Sequence, residues 1–235
     1  MNSRQAKASA RRNTRDPAQT RASIISSATE EFSTRGVKGA RLDAIASRTR
    51  TTRAMIYYYF GSKEGLYLAV LETAYRGVRE AETGLDLAHL APIEAMRRLV
   101  EFTFDYYYEH PSFVALIVAE NQSGGKFIRK LDHIDRMNVS IIDTIAAILQ
   151  VGALDGVFRA GIDPVEVHMM IAALGLFQIA NRHTFGYLFD RDMSSKRYIE
   201  RTKALVSDVV VRYLSGAVDA SVGVQQKRRV ALREP

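Results

Sequence analysis

The sequence predicts an all-α protein, with a small helical head at the N-terminus and a larger helical domain behind it. Three observations predict this. Apolar residues recur at three- and four-residue spacing along most of the chain, and no segment sustains strand alternation or a βαβ rhythm. Helix starts and stops are punctuated by Asp16-Pro17, Gly36, Gly61, Pro92, Pro111, Gly124-Gly125 and Asp163-Pro164. Charge is divided unevenly: residues 1–65 hold 13 Lys/Arg against 5 Asp/Glu, a balance of +8, and residues 66–235 hold 20 against 21, a balance of −1.

Composition removes several classes. At 47% hydrophobic the chain can bury a core, which argues against general disorder. It has no cysteine, so disulfide scaffolds and thiolate metal sites are excluded. No apolar run approaches the roughly 18 residues of a membrane span, and the polar N-terminus lacks a signal-peptide core. The expectation is a soluble cytoplasmic protein with no membrane association. A basic first quarter points to a polyanionic partner, with nucleic acid foremost.

The elements follow in order. Residues 1–20 read as a basic arm carrying Arg4, Lys7, Arg11, Arg12 and Arg15; it serves either a DNA minor groove or solubility. Asp16-Pro17 is a cap and first-turn pair for a helix whose face is Ile24, Ile25, Ala28 and Phe32. Gly36 ends it. A short second helix shows Leu42, Ile45 and Ala46, and a polar turn spans Arg48 to Thr52. A short third helix covers Arg53 to Tyr59, with Gly61 as its stop. Ser62 is a cap for a longer fourth helix bearing Leu66, Ala69, Val70, Thr73, Ala74 and Val78.

Three helices, the last two short and tightly joined, describe a helix-turn-helix DNA-binding head. Ile56 and Phe60 lie four apart, so one face of the third helix can anchor in the small core while the other enters a major groove. Tyr57, Tyr58 and Tyr59 cannot all face one core, because successive helical residues point about 100° apart. Their rings can pack while their hydroxyls reach phosphates. Thr51, Thr52 and Arg53 stand at the end of this helix that meets base edges. Lys63 opposes the macrodipole of the fourth helix, a placement that suits a phosphate docked at that N-terminus.

The stretch from Ile24 to Leu71 resembles the N-terminal domain of the TetR family of transcriptional regulators. The resemblance rests on Phe32 and Gly36, Ile45-Ala46, Tyr57, Tyr58-Tyr59-Phe60, Ser62-Lys63-Glu64 and Leu66 in that order. It implies an all-helical homodimer with a DNA-binding head and a C-terminal ligand-binding domain. It also implies that Thr52, Arg53, Tyr57, Tyr58 and Tyr59 contact DNA and that Lys63 contacts a phosphate. Two positions depart from the pattern. Ala40 and Arg41 stand where the second helix usually has a Thr/Ser pair, leaving Arg41 to grip the DNA backbone. Arg50 and Thr51 replace a glycine and a small residue in the turn, and a positive φ there would strain Arg50.

The remainder reads as helices from Pro92 to about His110, Pro111 to Asn121, Lys126 to Ala153, Asp163 to Phe185 and Ser195 to Leu214. The tail from Ser215 reads as loose and basic. The expected domains are a flexible arm (1–20), the DNA-binding head (21–66), a ligand-binding and dimerisation domain (67–214) and a tail (215–235). The last two long helices suit a homodimer interface. The small-residue run Ile171 to Phe177 lets another backbone approach, and Leu205, Val209 and Val210 beside Val206 and Tyr213 offer an apolar face. Pocket candidates among the middle helices are Phe104, Tyr107, Tyr108, Phe113, Ile117, Glu120, Asn121, Phe177, Asn181 and His183, which combine apolar bulk with a few polar groups. Through the stretches AENQSGGKFI (119–128) and EVHMMIAALGLFQIANRHTFGYLF (166–189), the C-terminal half also resembles a subgroup that controls breakdown of small aromatic or N-heterocyclic compounds.

Catalysis is not expected. The five histidines show no metal-ligand spacing, Gly124-Gly125-Lys126 lacks the rest of a P-loop, and Ser123 with Lys126 lacks the companions of an S-x-x-K enzyme. No cofactor or metal is implied. A membrane-surface or RNA-binding adaptor using the basic arm is the other class the charge allows. The reading that absorbs most residues is a sequence-specific DNA-binding regulator, a repressor released from a palindromic operator by a small-molecule effector.

Overall fold

The computed structural model describes residues 16–131 and 134–216, with side chains in the second stretch from Val139 onward. The arm read over residues 1–20 lies outside the described residues up to residue 15, and from Pro17 on it is helical; the tail read from Ser215 lies outside them after Gly216, Ser215 being the last residue of a helix. Everything regular among the described residues is helical. None of these helices is long and apolar enough to cross a membrane.

Two compact units emerge. One comprises the described residues up to Ala74 together with Ala119–Leu131; the other comprises Tyr75–Val118 and the described residues from 134 on. In the first unit, α1 (Pro17–Gly39) starts on Asp16, whose carboxylate accepts the Ala18 N–H at 3.1 Å. Gly36 interrupts α1 at φ 63°, ψ 176°, a conformation that only glycine adopts cheaply. After α2 (Leu42–Thr49) the chain turns at Arg50, which is left-handed at φ 51°, ψ 40°. The arginine in place of glycine therefore carries the strain foreseen from the sequence, about 1 kcal/mol. Helix α3 (Arg53–Phe60) is capped by the Thr52 hydroxyl, which accepts the Met55 N–H at 3.2 Å, and stops at Gly61. Helix α4 (Lys63–Thr83) begins with the Ser62 hydroxyl accepting the Gly65 N–H at 2.9 Å. Ile24, Phe32, Ile45, Ile56, Leu66 and Val70 are fully buried and form this unit's core.

The second unit is built on α5 (Pro92–Glu109), which packs against α7 (Ile134–Leu154), α8 (Pro164–Ala180) and α10 (Lys196–Ser215). Met96, Leu99, Val100 and Phe104 of α5 meet Ile141 and Ile145 of α7, Val167 and Ile171 of α8, and Val206, Val210 and Leu214 of α10. Helix α6 (Pro111–Gln122) and the short α9 (Arg182–Leu188) complete the set.

Two helices differ from the spacing-based expectation. The long helix expected from Lys126 begins only at Ile134. Before it, Gly124 and Gly125 both take positive φ, and the chain makes a single 3-10 turn over Ile128–Lys130. The Glu120 carboxylate holds that turn by accepting the Phe127 and Ile128 N–H groups at 2.6 and 2.8 Å. The helix expected to run to Phe185 ends at Ala180, because Asn181 leaves helical geometry and its side-chain amide donates back to the Phe177 carbonyl at 3.2 Å.

Candidate nucleic-acid interface

The candidate surface is α3 with the turn that precedes it. Its inward anchor is Ile56, fully buried, and α3 packs against α2. Rotation by about 100° per residue then turns Met55, Tyr57 and Tyr58 outward. Tyr58 is 79% exposed, whereas Tyr59 is only half-buried, with its ring edge-on to Tyr58 at 5.3 Å. Phe60 closes the helix under the guanidinium of Arg21, 5.3 Å from the ring centroid. Thus one tyrosine stands free and one braces it, while Tyr57 serves a neighbour. The Tyr57 hydroxyl is hydrogen-bonded to Arg53, and this bond, followed by the Asp43 carboxylate at 3.6 Å, raises the Arg53 pKa above its ordinary value.

The predicted contacts are therefore brought together, but not all are idle. Thr52 spends its hydroxyl on the α3 cap, and Arg53 is held by Tyr57 and Asp43. Arg41 is exposed at the start of α2, and Thr51 is half-buried, its N–H given to Ala46 at 3.0 Å. Lys63 Nζ donates to the Lys38 carbonyl at 3.1 Å, which ties the start of α4 to the end of α1. Arg35, Lys38, Arg48 and Arg50 are also exposed in this unit, extending the basic surface beyond the contacts foreseen.

The residue that organises the surface escaped sequence reasoning. Glu31 lies on the buried face of α1, 4% exposed. Its Oε1 accepts the Arg41 N–H at 3.0 Å, and its Oε2 pairs with Arg48 Nη2 at 2.6 Å. Arg35 Nε adds a third contact at 3.3 Å. The α2 N-cap that Ala40 and Arg41 cannot supply thus comes from a carboxylate on α1. Burial pushes the Glu31 carboxyl up, but the Arg41 N–H and the two guanidinium groups outweigh it and hold the group below the ordinary carboxylate range. The signal was present: an acid at the i+7 position of the Ile24–Ala28–Phe32 face, with arginine four residues on.

The residues read as pocket-lining divide into three groups. Phe104 and Tyr108 form one ring pair at 4.9 Å and Tyr107 and Phe113 another at 6.0 Å, with Ile117 further along α6. Burial pushes the Tyr108 hydroxyl up to about 12, and that hydroxyl donates to the Met193 carbonyl at 3.4 Å. Phe177, Asn181 and His183 lie where α8 gives way to α9. There Phe177 lines a groove of about 710 Å³ with Phe185, Arg191, Arg197, Tyr198 and Arg201. Glu120 and Asn121 belong to the first unit, where Glu120 also accepts the Tyr67 hydroxyl at 3.3 Å.

Comparison with known proteins matches both halves. Residues 24–70 match the family described as bacterial regulatory proteins, tetR family, and residues 92–210 match the tetracyclin repressor-like C-terminal domain. The HTH-type transcriptional repressor NicS of Pseudomonas putida is 35% identical over 195 residues, 83% of this chain and 92% of that protein. The HTH-type transcriptional repressor SCO4008 of Streptomyces coelicolor is 34% identical over 113 residues, 47% of this chain and 54% of its own. Among solved structures, a regulatory protein in the tetR family from Rhodococcus RHA1 superposes with a TM-score of 0.66 at 18% identity, covering 85% of this chain and 99% of that one, a likeness of fold.

Proposed function

The chain belongs to the TetR family of DNA-binding transcriptional regulators and is not an enzyme; from that premise we propose that it is a homodimeric repressor, released from a palindromic operator by a small-molecule effector. The observation that carries the reading is α3 itself. Ile56 fixes it from below, while Tyr57, Tyr58 and Arg53 stand outward on a unit rich in exposed arginine. Two such helices, one per subunit, would enter successive major grooves about one helical turn apart. In this reading Tyr58 and Lys63 hold phosphates and Thr51, Thr52 and Arg53 face base edges. Lys63 would exchange the Lys38 carbonyl for a phosphate on docking. As a regulator of bacterial DNA the protein acts in the cytoplasm.

The dimer would form through α8 and α10. Val165, Met169 and Phe177 of α8 and Leu205, Val209 and Tyr213 of α10 are exposed apolar side chains at helical spacing, an arrangement that a second copy would cover. The effector would bind within the second unit. Similarity to NicS across most of both chains supports placing this protein among repressors, and the small aromatic or N-heterocyclic effector is the reading that the resemblance of its C-terminal half suggests. The effector must bind the operator-incompetent state more tightly than the competent one, since equal affinity shifts nothing.

The test is a gel shift of the purified full-length protein on the DNA flanking its own gene, with excess nonspecific competitor. A discrete complex that survives competitor and dissolves with an effector supports the reading. A smear that vanishes in moderate salt would leave only a nonspecific polyanion binder and overturn it.

A further inference from the structure

The second unit holds a buried ion pair whose hydrogen bonding its own fold leaves incomplete. Arg79 and Glu82 sit one turn apart on α4, their side chains only 12% and 8% exposed. Arg79 Nη1 lies 2.7 Å from Glu82 Oε2, yet the approach is misdirected. Arg79 Nε, Arg79 Nη1 and Glu82 Oε2 are all buried and none completes a hydrogen bond. Native interiors rarely leave such groups unmade, because each forfeits its solvation without return. Both side chains line a cavity of about 40 Å³, closed by Leu87 and Leu99 on one side and Ser140, Ile141 and Thr144 of α7 on the other. That space is roughly three times what one water needs, enough for a carboxylate group but not for a ring.

We propose that this corner of the second unit receives the carboxylate of a small organic acid, which displaces Glu82 and takes the Arg79 N–H groups for itself. The inference rests on reading the second unit as effector-binding, and adds the effector's class. No covalent bond changes, and the exchange moves one proton. Burial pushes the Glu82 carboxyl up to about 7, with Arg79 pulling it down. Once Arg79 is taken and a second carboxylate stands opposite, Glu82 binds a proton from solvent and donates it in a hydrogen bond to the incoming oxygen.

The other groups around the pair, among the described residues, do not compete. From α5, Tyr106 and Tyr107 face it, and burial raises both hydroxyls so that they stay protonated. From α8, burial and then Arg79 push His168 down to about 4, so its ring stays neutral. Ser140 and Thr144 of α7 carry no charge. On α4 itself, Tyr75 acts on Tyr107 and Glu80 acts on Tyr106, leaving Arg79 as the cation this corner offers.

Formate is the probe, because it is a carboxylate small enough to enter the cavity whole. Full-length protein is titrated calorimetrically with sodium formate against a chloride background, and with formamide as the neutral counterpart. Three heavy atoms limit affinity to about the millimolar range. The expected result is saturable formate binding without formamide binding, and uptake approaching one proton at about pH 8. Affinity is flat below about pH 7 and falls up to tenfold per pH unit above it. Glu82→Gln removes the competing carboxylate, so at about pH 8 it binds formate more tightly than the parent and loses the pH slope. Arg79→Met abolishes binding. Absence of saturable formate binding, equal binding of formamide, or a pH slope unchanged in Glu82→Gln overturns the inference, the last even if Arg79→Met does not fold. The operator gel shift on the same preparation separates the two readings. An operator complex without formate binding removes the carboxylate corner and keeps the regulator; formate binding without an operator complex does the reverse.

Discussion

Glu31→Gln removes one charge from the centre of the head and little else. The amide oxygen can still accept the Arg41 N–H, so the α2 cap survives. What is lost is the charge-assisted pairing to Arg48 at 2.6 Å and to Arg35 at 3.3 Å. A hydrogen bond to a charged group contributes about 1.5–3 kcal/mol. Arg48 is 43% exposed, so water recovers part of the loss, and the expected cost is about 2 kcal/mol. Glu31→Ala also deletes the cap and should cost about 1 kcal/mol more. Because the folded carboxyl titrates below its unfolded value, its stabilisation is complete above the unfolded pKa and lost as pH falls through the folded one. The gap between wild type and Glu31→Gln should therefore close in acid. The two units need not unfold together, so the assay is amide hydrogen exchange of α1 and α2 peptides rather than one global transition. A loss under about 0.5 kcal/mol at neutral pH, or a gap that persists unchanged in acid, would refute the organising role.

Tyr58→Ala should leave folding stability within about 0.5 kcal/mol, since the ring is exposed, while weakening operator binding at least severalfold; unchanged affinity in the gel shift would end its phosphate role. Gly65→Ala should destabilise the head by about 2 kcal/mol despite the better helix propensity of alanine, because the new Cβ would stand 2.1 Å from the Phe60 carbonyl oxygen; an unchanged melting temperature would contradict that. Leu205→Glu, at a position 60% exposed, should yield a folded monomer in sedimentation and abolish the operator complex; a persistent dimer would move the interface away from α10.

Much of the head was legible because its signals are local. The Ile24–Ala28–Phe32 face, the Gly36 break, the inward Ile56 and the Gly61 stop each follow from spacing or from backbone freedom, which a single sequence displays. Arg50 is a similar case, since a departure from glycine in a tight turn could be read as strain before φ was known. Glu31 was harder. Two of its three partners are 10 and 17 residues away, and an acid on an apolar face announces only that some partner must exist. Arg79 and Glu82 were harder still, because an i, i+3 pair of opposite charge on a helix usually marks a solvated surface. Only packing by Leu87, by Leu99 of α5 and by α7 takes this one out of water.

Glu120 shows the same limit from the other side. Among Phe113, Ile117 and Asn121, an acid near the end of a helix looks like the polar feature of an apolar pocket. In the fold both its oxygens are already engaged: Oε1 by the Phe127 and Ile128 N–H groups, Oε2 by the Tyr67 hydroxyl. The Phe127 ring lies edge-on to Tyr67 at 5.1 Å, and Tyr67 lies edge-on to Phe32 at 5.0 Å, so the turn after α6 is fastened into the core behind α3. Lys130 pairs with Glu64 at the rim of the same contact. A buried carboxylate with three donors is largely committed, whereas a buried guanidinium whose Nε and Nη1 complete no hydrogen bond, one of them in a misdirected ion pair, keeps donors for another acceptor. Residue type marks where polar chemistry is buried; the count of unmade hydrogen bonds separates a fastening from a binding site.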